Sequence, residues 1–554
     1  MSKKRENEIH FGKDARLALK QGVDLVANAV KVTYGAKGRN VLISNSSGFP
    51  PHITKDGVTV AKSVEVDDAL VRQGALLIQS ASESANRIAG DGSTLTTILT
   101  QALVNNGFES VDRLRNVNVT DVKRGMDYAK EEIVKIIEGH AVKVESVGEI
   151  KNVATISANN DPVIGGYIAE AFEKVGKHGV VSFDNSETHQ SYVEFVDGYQ
   201  FDRGLITPYL ITDAERLRSV MDNPYIIITD YVISSASVFE NIVNKILEAN
   251  RENNENRGLV IICDDMEFQC VQLFLKNHAQ GIIKVCVVKA PEFGDRRYDM
   301  LQDMCIVTGA TFVSKEKGDS FETLELDDLG EATSVVADLE NTTIIGGQGS
   351  VEAITKRAED IKALMDNKKG YALEVYEKRL GKLTGGAAVI KLGATSEVNL
   401  REMKDRVEDA ISAVKASIEE GVLPGGASFL YRIGAGIYNL QVPESTTSVA
   451  FKLGLDIVKK SLVIPFLTLL ENAGYIIGEE VNDPVENLKN NDDIGFNVLT
   501  GEFVNMFEAG IIDPAKVIRL ATENAIDTVS TMLLTEAIVL GADEKGKGLS
   551  NFNL

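Results

Sequence analysis

The segment Gly90-Asp91-Gly92-Ser93-Thr94 sets two glycines, a carboxylate and two hydroxyls directly before Leu95, Ile98, Leu99 and Leu103, which recur at helical spacing. A helix start offers unpaired backbone N–H groups and the positive end of the helix dipole, and glycine lets the backbone approach a ligand closely. That combination suits a phosphate. The same residues would also serve as an ordinary helix cap. The dipole contributes only about 0.3–2 kcal/mol, whereas micromolar nucleotide affinity needs about 8 kcal/mol. Other groups have to converge with it. Thr33-Tyr34-Gly35-Ala36-Lys37-Gly38, Thr54-Lys55-Asp56-Gly57 and Gly421-Val422-Leu423-Pro424-Gly425-Gly426 offer further glycine-containing loops, the first two with hydroxyl and charged groups. Asp56, Asp91 and Asp409 are candidate Mg2+ ligands or water-positioning carboxylates, the minimum for phosphoryl transfer to water. No G-x-x-x-x-G-K-[ST] is present, which excludes a P-loop enzyme.

The elements that must carry these loops fall into two kinds. From Asp14 to Tyr34, Leu19, Val23, Val26 and Val30 mark one face of a helix; Asn40 to Ile43 predicts a short strand, and a helical stretch runs from about Ala69 to Ile88. The first and last thirds read mostly as helix, the latter from Glu408 through Leu540. The middle alternates apolar strand-length runs (Tyr225 to Thr229, Gly258 to Cys263, Lys284 to Val288, Ala310 to Val313) with helix-length segments near 235–250, 266–279 and 295–308. This predicts a parallel α/β sheet with both faces covered. Arg251 to Arg257 reads as a polar loop on it. Gly198 precedes this region and Gly385-Gly386 closes it, as ordinary turns or as hinges.

At 554 residues the chain suggests three or four domains. With 58 basic against 81 acidic residues it carries a formal charge of −23, a poor match to nucleic acid or an anionic membrane. Hydrophobic residues at 44% suffice for packed cores and argue against disorder. Cys263, Cys270, Cys286 and Cys305 form no C-x-x-C pair and each lies in or beside an apolar stretch, so buried reduced thiols are expected. The six histidines show no metal-binding spacing. The charged start Met1 to Glu6 is not followed by the apolar run of a signal peptide, and Leu462 to Leu470 is too short to span a bilayer. The expectation is a soluble, cytoplasmic protein, in a bacterium or, if virus-encoded, in its host.

Several blocks resemble the group I chaperonins, the GroEL family. They are Lys31 to Asn40, Thr54 to Val58, Ala89 to Thr94, Thr155 to Asn159, Gln200 to Gly204, Lys289 to Arg297 and Arg406 to Ala410, collinear over nearly the whole chain. The resemblance implies a multidomain α and α/β architecture: a helical equatorial domain (1–137 and 420–554), a small intermediate domain (138–195 and 388–419) and an α/β apical domain (196–387). It implies an ATP-hydrolysing chaperone whose seven-subunit rings enclose non-native polypeptide. Asp91 would ligate Mg2+, with Gly92, Ser93, Thr94, Leu95, Tyr34, Gly35 and Ala36 around the phosphates. Thr33, Lys55 and Thr94 would surround a K+ site, and Asp56 and Asp409 would position the attacking water. Gly426 and Asp513 would lie by the sugar, and Asn497, Val498 and Leu499 by the adenine. Asp409 lies far from the other blocks in sequence, so a domain closure is expected to deliver it. Gly198, Gly385 and Gly386 match the family's hinges, and Arg203 and Glu397 match a pair that bridges neighbouring subunits.

The chain also departs from the family. Leu205, Tyr209, Leu210, Phe239, Val243, Val271, Phe274 and Leu275 would face polypeptide on the apical domain, yet Glu240 and Lys276 fall where apolar residues are usual. The use of a GroES-like lid is therefore open. Leu467 and Ile476 replace charged residues of the ring–ring contact, so a single ring or a labile double ring is expected. Ala36 and Leu95 replace the usual Pro and Thr beside the phosphates. These departures mark a divergent member, and a viral source is one reading of them. The alternative function is a passive ring that holds unfolded chains without turnover, though such a binder needs none of Asp56, Asp91 and Asp409.

Overall fold

The computed structural model describes the chain apart from residues 1–7, 45–50, 114–116, 145, 177–179, 187, 197, 215, 366–370, 385, 441, 443–447, 479, 482, 490 and 542–554. Two compact units divide it. One takes in the chain up to residue 170, residues 185–191 and the chain from 392 onward; the other takes in 171–184 and 192–391. The segments 138–170 and 392–419, expected within an intermediate domain, belong to the first unit.

The first unit is built on long helices whose apolar stripes face one another. Helix Gly12–Val30 buries Ala15, Leu19, Val23, Val26 and Val30, the expected face. It crosses helix Ala69–Ala89 at Gly22 and Gly74, where a Cβ on either residue would overlap the other helix's backbone. Helices Val119–His140 and Val449–Leu462 repeat the device with Gly125 and Gly454. Such close approach exchanges side-chain packing for backbone contact and fixes each crossing. Helices Ser93–Arg113 and Ala515–Leu534 contribute buried residues to the same core. Strand Glu8–Phe11 pairs antiparallel with Ala537–Leu540, tying together two ends of the sequence. Three more two-stranded sheets join Val41–Ile43 to His52–Thr54, Val422–Pro424 to Ile512–Pro514, and Ile494–Asn497 to Glu502–Asn505. The last two interrupt the mostly helical C-terminal third expected from the sequence.

The second unit holds an eight-stranded mixed sheet. Its parallel part is the predicted one: Leu259–Cys263 lies between Val285–Lys289 and Tyr225–Thr229, and Phe312–Val313 also pairs with Tyr225–Thr229. Leu259–Cys263 and Tyr225–Thr229 are buried at every position, as strands covered on both faces must be. The sheet then continues antiparallel through Gly330–Ala337, Thr342–Gly347 and Gly198–Phe201, with Ser219–Asp222 beside Gly330–Ala337. The sequence reading missed that half. Helices Glu240–Asn253, Phe268–Ala279 and Asp295–Thr308 stand near their expected places, although the first extends three residues into the expected polar loop, to Asn253. All four cysteines are buried and free, and burial pushes the thiols of Cys263 and Cys286 up to about 12. A fully buried carboxylate, Asp303, accepts from Arg357 Nε at 2.6 Å and Arg379 Nε at 2.9 Å, and Arg379 Nη1 also donates to Asp299 at 2.8 Å. The network locks helices Asp295–Thr308, Val351–Met365 and Tyr371–Thr384 together. Beside this sheet, Val180–Asn185, Ala387–Leu392 and Tyr192–Val196 form a three-stranded one. Gly198 leaves no room for a Cβ against Ala387, and Gly386 adopts φ 65°, a left-handed conformation that favours glycine; Gly385 lies outside the described residues. Among the described residues no helix is long and apolar enough to cross a membrane.

Candidate functional site

Helix Ala69–Ala89 ends at Gly90, which turns left-handed at φ 71° and passes so close to Ser412 that a Cβ would overlap it. Gly92 follows at φ 92°, and helix Ser93–Arg113 begins. Between the glycines, Asp91 is held by two donors: the Gly92 N–H at 2.5 Å and the Ser157 hydroxyl at 3.0 Å. Asp56 caps the helix Gly57–Ser63, accepting from the N–H groups of Val58 at 3.1 Å and Thr59 at 2.8 Å. Gly57 sits against the hydroxyl of Thr94, with no room for a side chain, so the backbone of one loop packs directly on the Ser93 and Thr94 hydroxyls of the other. The loop after Thr33 is fixed from behind. Asn472 Nδ2 donates to the carbonyls of Lys31 at 2.8 Å and Tyr34 at 2.9 Å, and Leu469 occupies the space a Cβ on Gly35 would need.

These loops and the segments 152–160, 402–409, 426 and 496–513 line one cavity of about 440 Å³. That volume is within the range of ligand pockets, about 300–1,000 Å³. One end is polar and charged. Lys55 donates to the Gly35 carbonyl at 3.3 Å, and its ammonium is lowered by burial and then by Arg406, with Glu402 opposing. Arg406 itself spans Glu402 at 2.6 Å and Asp161 at 3.3 Å. Asp409, three positions on along the same helix, lies on the cavity wall as the chain stands, without a further closure. Its carboxyl is raised well above the ordinary range by burial, then by Asp56 and Asp91. Asp91 is likewise raised, by burial and by Asp56, against the lowering effect of its two donors. The other end is more apolar: Phe496, Val498, Leu499 and Ile511 line it with Asn497 and Gly426. Asp513 joins the two ends, pushed up to about 6 by burial and then by Asp91, while the N–H groups of Ala427 and Gly426 counteract. Burial first, then Asp513 and Asp91, also raises the Tyr34 phenol.

Carboxylates that raise one another's proton affinity are a setting that favours a cation. Among the described residues no three acidic, histidine or cysteine side chains could hold a metal by themselves. A hard ion with few protein ligands and the rest from phosphate and water fits this donor set, which is how Mg2+ is usually held.

The comparison with known proteins follows the same lines. Residues 26–542 match the TCP-1/cpn60 chaperonin family. The chain belongs to that family. Two crystal structures of the chaperonin gp146 from the bacteriophage EL 2 (Pseudomonas aeruginosa), both in the presence of ATP-BeFx, are similar in fold. Crystal form II gives a TM-score of 0.70 at 20% identity, covering 96% of this chain and 99% of that one. Crystal form I gives 0.64 at 19%, with the same coverage.

Of the expected nucleotide residues of this chaperonin, Thr33, Tyr34, Gly35, Ala36, Lys55, Asp56, Asp91, Ser93, Thr94, Asp409, Gly426, Asn497, Val498, Leu499 and Asp513 all line the cavity. Gly92 stands behind it, and its N–H is occupied by Asp91. Leu95 is a correction: it is buried in the helical core with Leu99 and Leu103, because the inward face of this helix repeats every three to four residues from Leu95. Asn152, Ser157, Glu402 and Arg406 line the cavity without having been assigned to it. Arg406 and Asp409 share a helix face at i, i+3, which was the available signal.

The expected apical surface needs a larger correction. Leu205, Leu210, Phe239, Val271 and Phe274 are buried in the core of this chaperonin's second unit, and Val243 and Leu275 are half-buried against it. Phe239 packs its ring on Phe274 at 5.9 Å and Phe321 at 5.0 Å. Only Tyr209 of the set is open, at 62%. The apolar stripe of helix Phe268–Ala279 turns Cys270, Val271 and Phe274 inward, leaving Phe268 (66%) and Leu273 (47%) on the solvent side. Arg203 is exposed and lies over the ring of Phe293, and Glu397 is exposed at the start of helix Glu397–Glu420.

Proposed function

We propose that this chaperonin hydrolyses ATP and uses the cycle to bind and release non-native polypeptide from a ring chamber in the cytoplasm. The observation that carries the reading is the convergence of the Thr33, Asp56 and Asp91 loops with Asp409 on one cavity. ATP would enter with its base against Asn497, Val498 and Leu499, its sugar by Gly426 and Asp513, and its phosphates against Ser93, Thr94 and the Tyr34-Gly35-Ala36 turn. Lys55 and Arg406 supply positive charge near the phosphate end. Mg2+, held by Asp91 and the phosphates, would neutralise charge developing on the transferred group. Thr33, Lys55 and Thr94 offer the carbonyl and hydroxyl oxygens that K+ takes. Asp409, whose proton affinity is raised by burial and then by Asp56 and Asp91, is suited to accept a proton from the attacking water, and Asp56 to orient that water. Gly198, Gly385 and Gly386 would serve as hinges. The phage protein of similar fold was crystallised with ATP-BeFx, which agrees with a nucleotide in such a cavity.

Polypeptide capture is assigned to the exposed apical residues Tyr209, Phe268 and Leu273, in place of the buried set. Rings of seven subunits, single or as a labile pair, are what the group I resemblance implies, with Arg203 and Glu397 bridging neighbours. Asp409→Ala tests the chemistry. It should leave ATP affinity within about threefold and lower kcat by about 10²–10⁴, the usual contribution of a positioned base. Unchanged turnover removes Asp409 from the mechanism, and a wild-type protein that binds polypeptide but never hydrolyses ATP favours the passive ring. Native mass spectrometry with and without ATP tests assembly: seven-subunit species support the ring, and a monomer in every state rejects it.

A further inference from the structure

Arg432 lies on the short helix Ser428–Gly434, which begins two residues after Gly426, and it is 0% exposed. Nη2 donates to two backbone carbonyls, Asn491 at 2.8 Å and Ile494 at 2.6 Å. Nε and Nη1 are buried without a partner. Burial disfavours its charge and lowers its proton affinity on balance, while Tyr438 and then Asp492 and Asp493, the last two in the turn between those carbonyls, favour the charge through space. A buried guanidinium without a paired carboxylate is costly, and an apolar side chain would fill the space at less cost. What an apolar residue could not do is hold both carbonyls of the turn.

That turn launches the strand Ile494–Asn497, whose end, with Val498 and Leu499, is the base-end wall of the cavity. The hairpin has little slack. Asp493 accepts from the Met506 N–H at 2.8 Å, and Gly495 has no room for a Cβ against Met506, whose methyl also approaches Gly426. A shift of the turn is therefore passed directly to the wall.

We infer that Arg432 is a positioning residue for the base end of the nucleotide cavity, setting the place of Asn497, Val498 and Leu499 through the 491–494 turn. The inference rests on the ATP reading of the cavity. Inorganic tripolyphosphate is the probe that separates the two ends, because it can occupy the phosphate end and has no base. With the full-length protein, Arg432→Lys should raise the KM for ATP about tenfold, the scale of lost charge-assisted hydrogen bonds. It should leave kcat within about twofold and the inhibition constant of tripolyphosphate unchanged. Asn491→Ala, an exposed change that removes the side chain accepting from the Asp493 N–H at 2.9 Å, should give the same split at about threefold; it keeps the test open if the arginine variant does not fold. Equal losses for ATP and tripolyphosphate would make Arg432 a general support and overturn the inference, as would an unchanged KM. A wild-type protein that binds no ATP would instead sink the ATP reading, before any variant is made.

Discussion

Asp56, Asp91, Asp409 and Asp513 stand around one small volume, so this cavity stores like-charge repulsion. Asp513 shows the consequence with a definite sign. Its folded-state value of about 6 lies above the unfolded value near 3.9, so the folded protein binds the extra proton in between. Stability without nucleotide therefore falls as pH rises from about 4 to about 6, and the full cost is present above that. Asp513→Asn should be more stable than the wild type at pH 8 by about 1–2 kcal/mol, after allowing for solvent in the cavity. The advantage should vanish near pH 4. Urea midpoints at the two pH values check this, and equal midpoints at pH 8 refute it. Asn472 makes a second residue-level case. Its amide bridges the Lys31 and Tyr34 carbonyls, so Asn472→Ala should weaken ATP binding about tenfold while leaving the fold intact, as read by calorimetric titration and circular dichroism. Carboxylates and glycines announce themselves in a sequence by type. Asn472 and Arg432 do not, because their partners are backbone carbonyls 441 and 59 positions away, and no spacing rule marks them.

Elements obey the same division between what periodicity carries and what it does not. The buried faces of helix Gly12–Val30 and of the parallel strands were legible because each is a long, uninterrupted apolar pattern. Gly330–Ala337 was not, since its burial alternates irregularly and its partners run antiparallel from distant parts of the chain. The helices of the second unit were misread for a different reason: an amphipathic stripe looks the same whether it faces a core or a ligand, and the packed rings of Phe239, Phe274 and Phe321 decide. The Asp303 network gives an element-level prediction. Removing its charge leaves two arginines facing a neutral group, so Asp303→Asn should destabilise the second unit by about 3 kcal/mol. Scanning calorimetry of the whole chain should show one transition shifted down and the other unmoved. A uniform shift of both would mean that the network does more than lock three helices.

At the scale of the whole molecule, the two-stranded sheets of the first unit matter most. Ile9, Phe11 and Val539 are exposed on one and Leu42 and Ile53 on another, apolar side chains on strands whose outer edges find no partner strand among the described residues. Isolated two-stranded sheets of this kind gain most by pairing with a neighbour. Val539→Lys should leave the helical core folded and shift native mass spectra toward monomer; full rings in the variant would exclude this surface from assembly.

The pairing of Glu8–Phe11 with Ala537–Leu540 also bears on how the protein is made. A strand near one end of the sequence waits for its partner until more than five hundred further residues have been synthesised. The unit formed mainly by 192–391 can emerge and close its sheet while the rest of the translation proceeds. The helical unit cannot, because its halves lie on either side of that insertion and its contacts span nearly the entire chain. On the ribosome, the second unit is finished first, and the cavity of the first is assembled last.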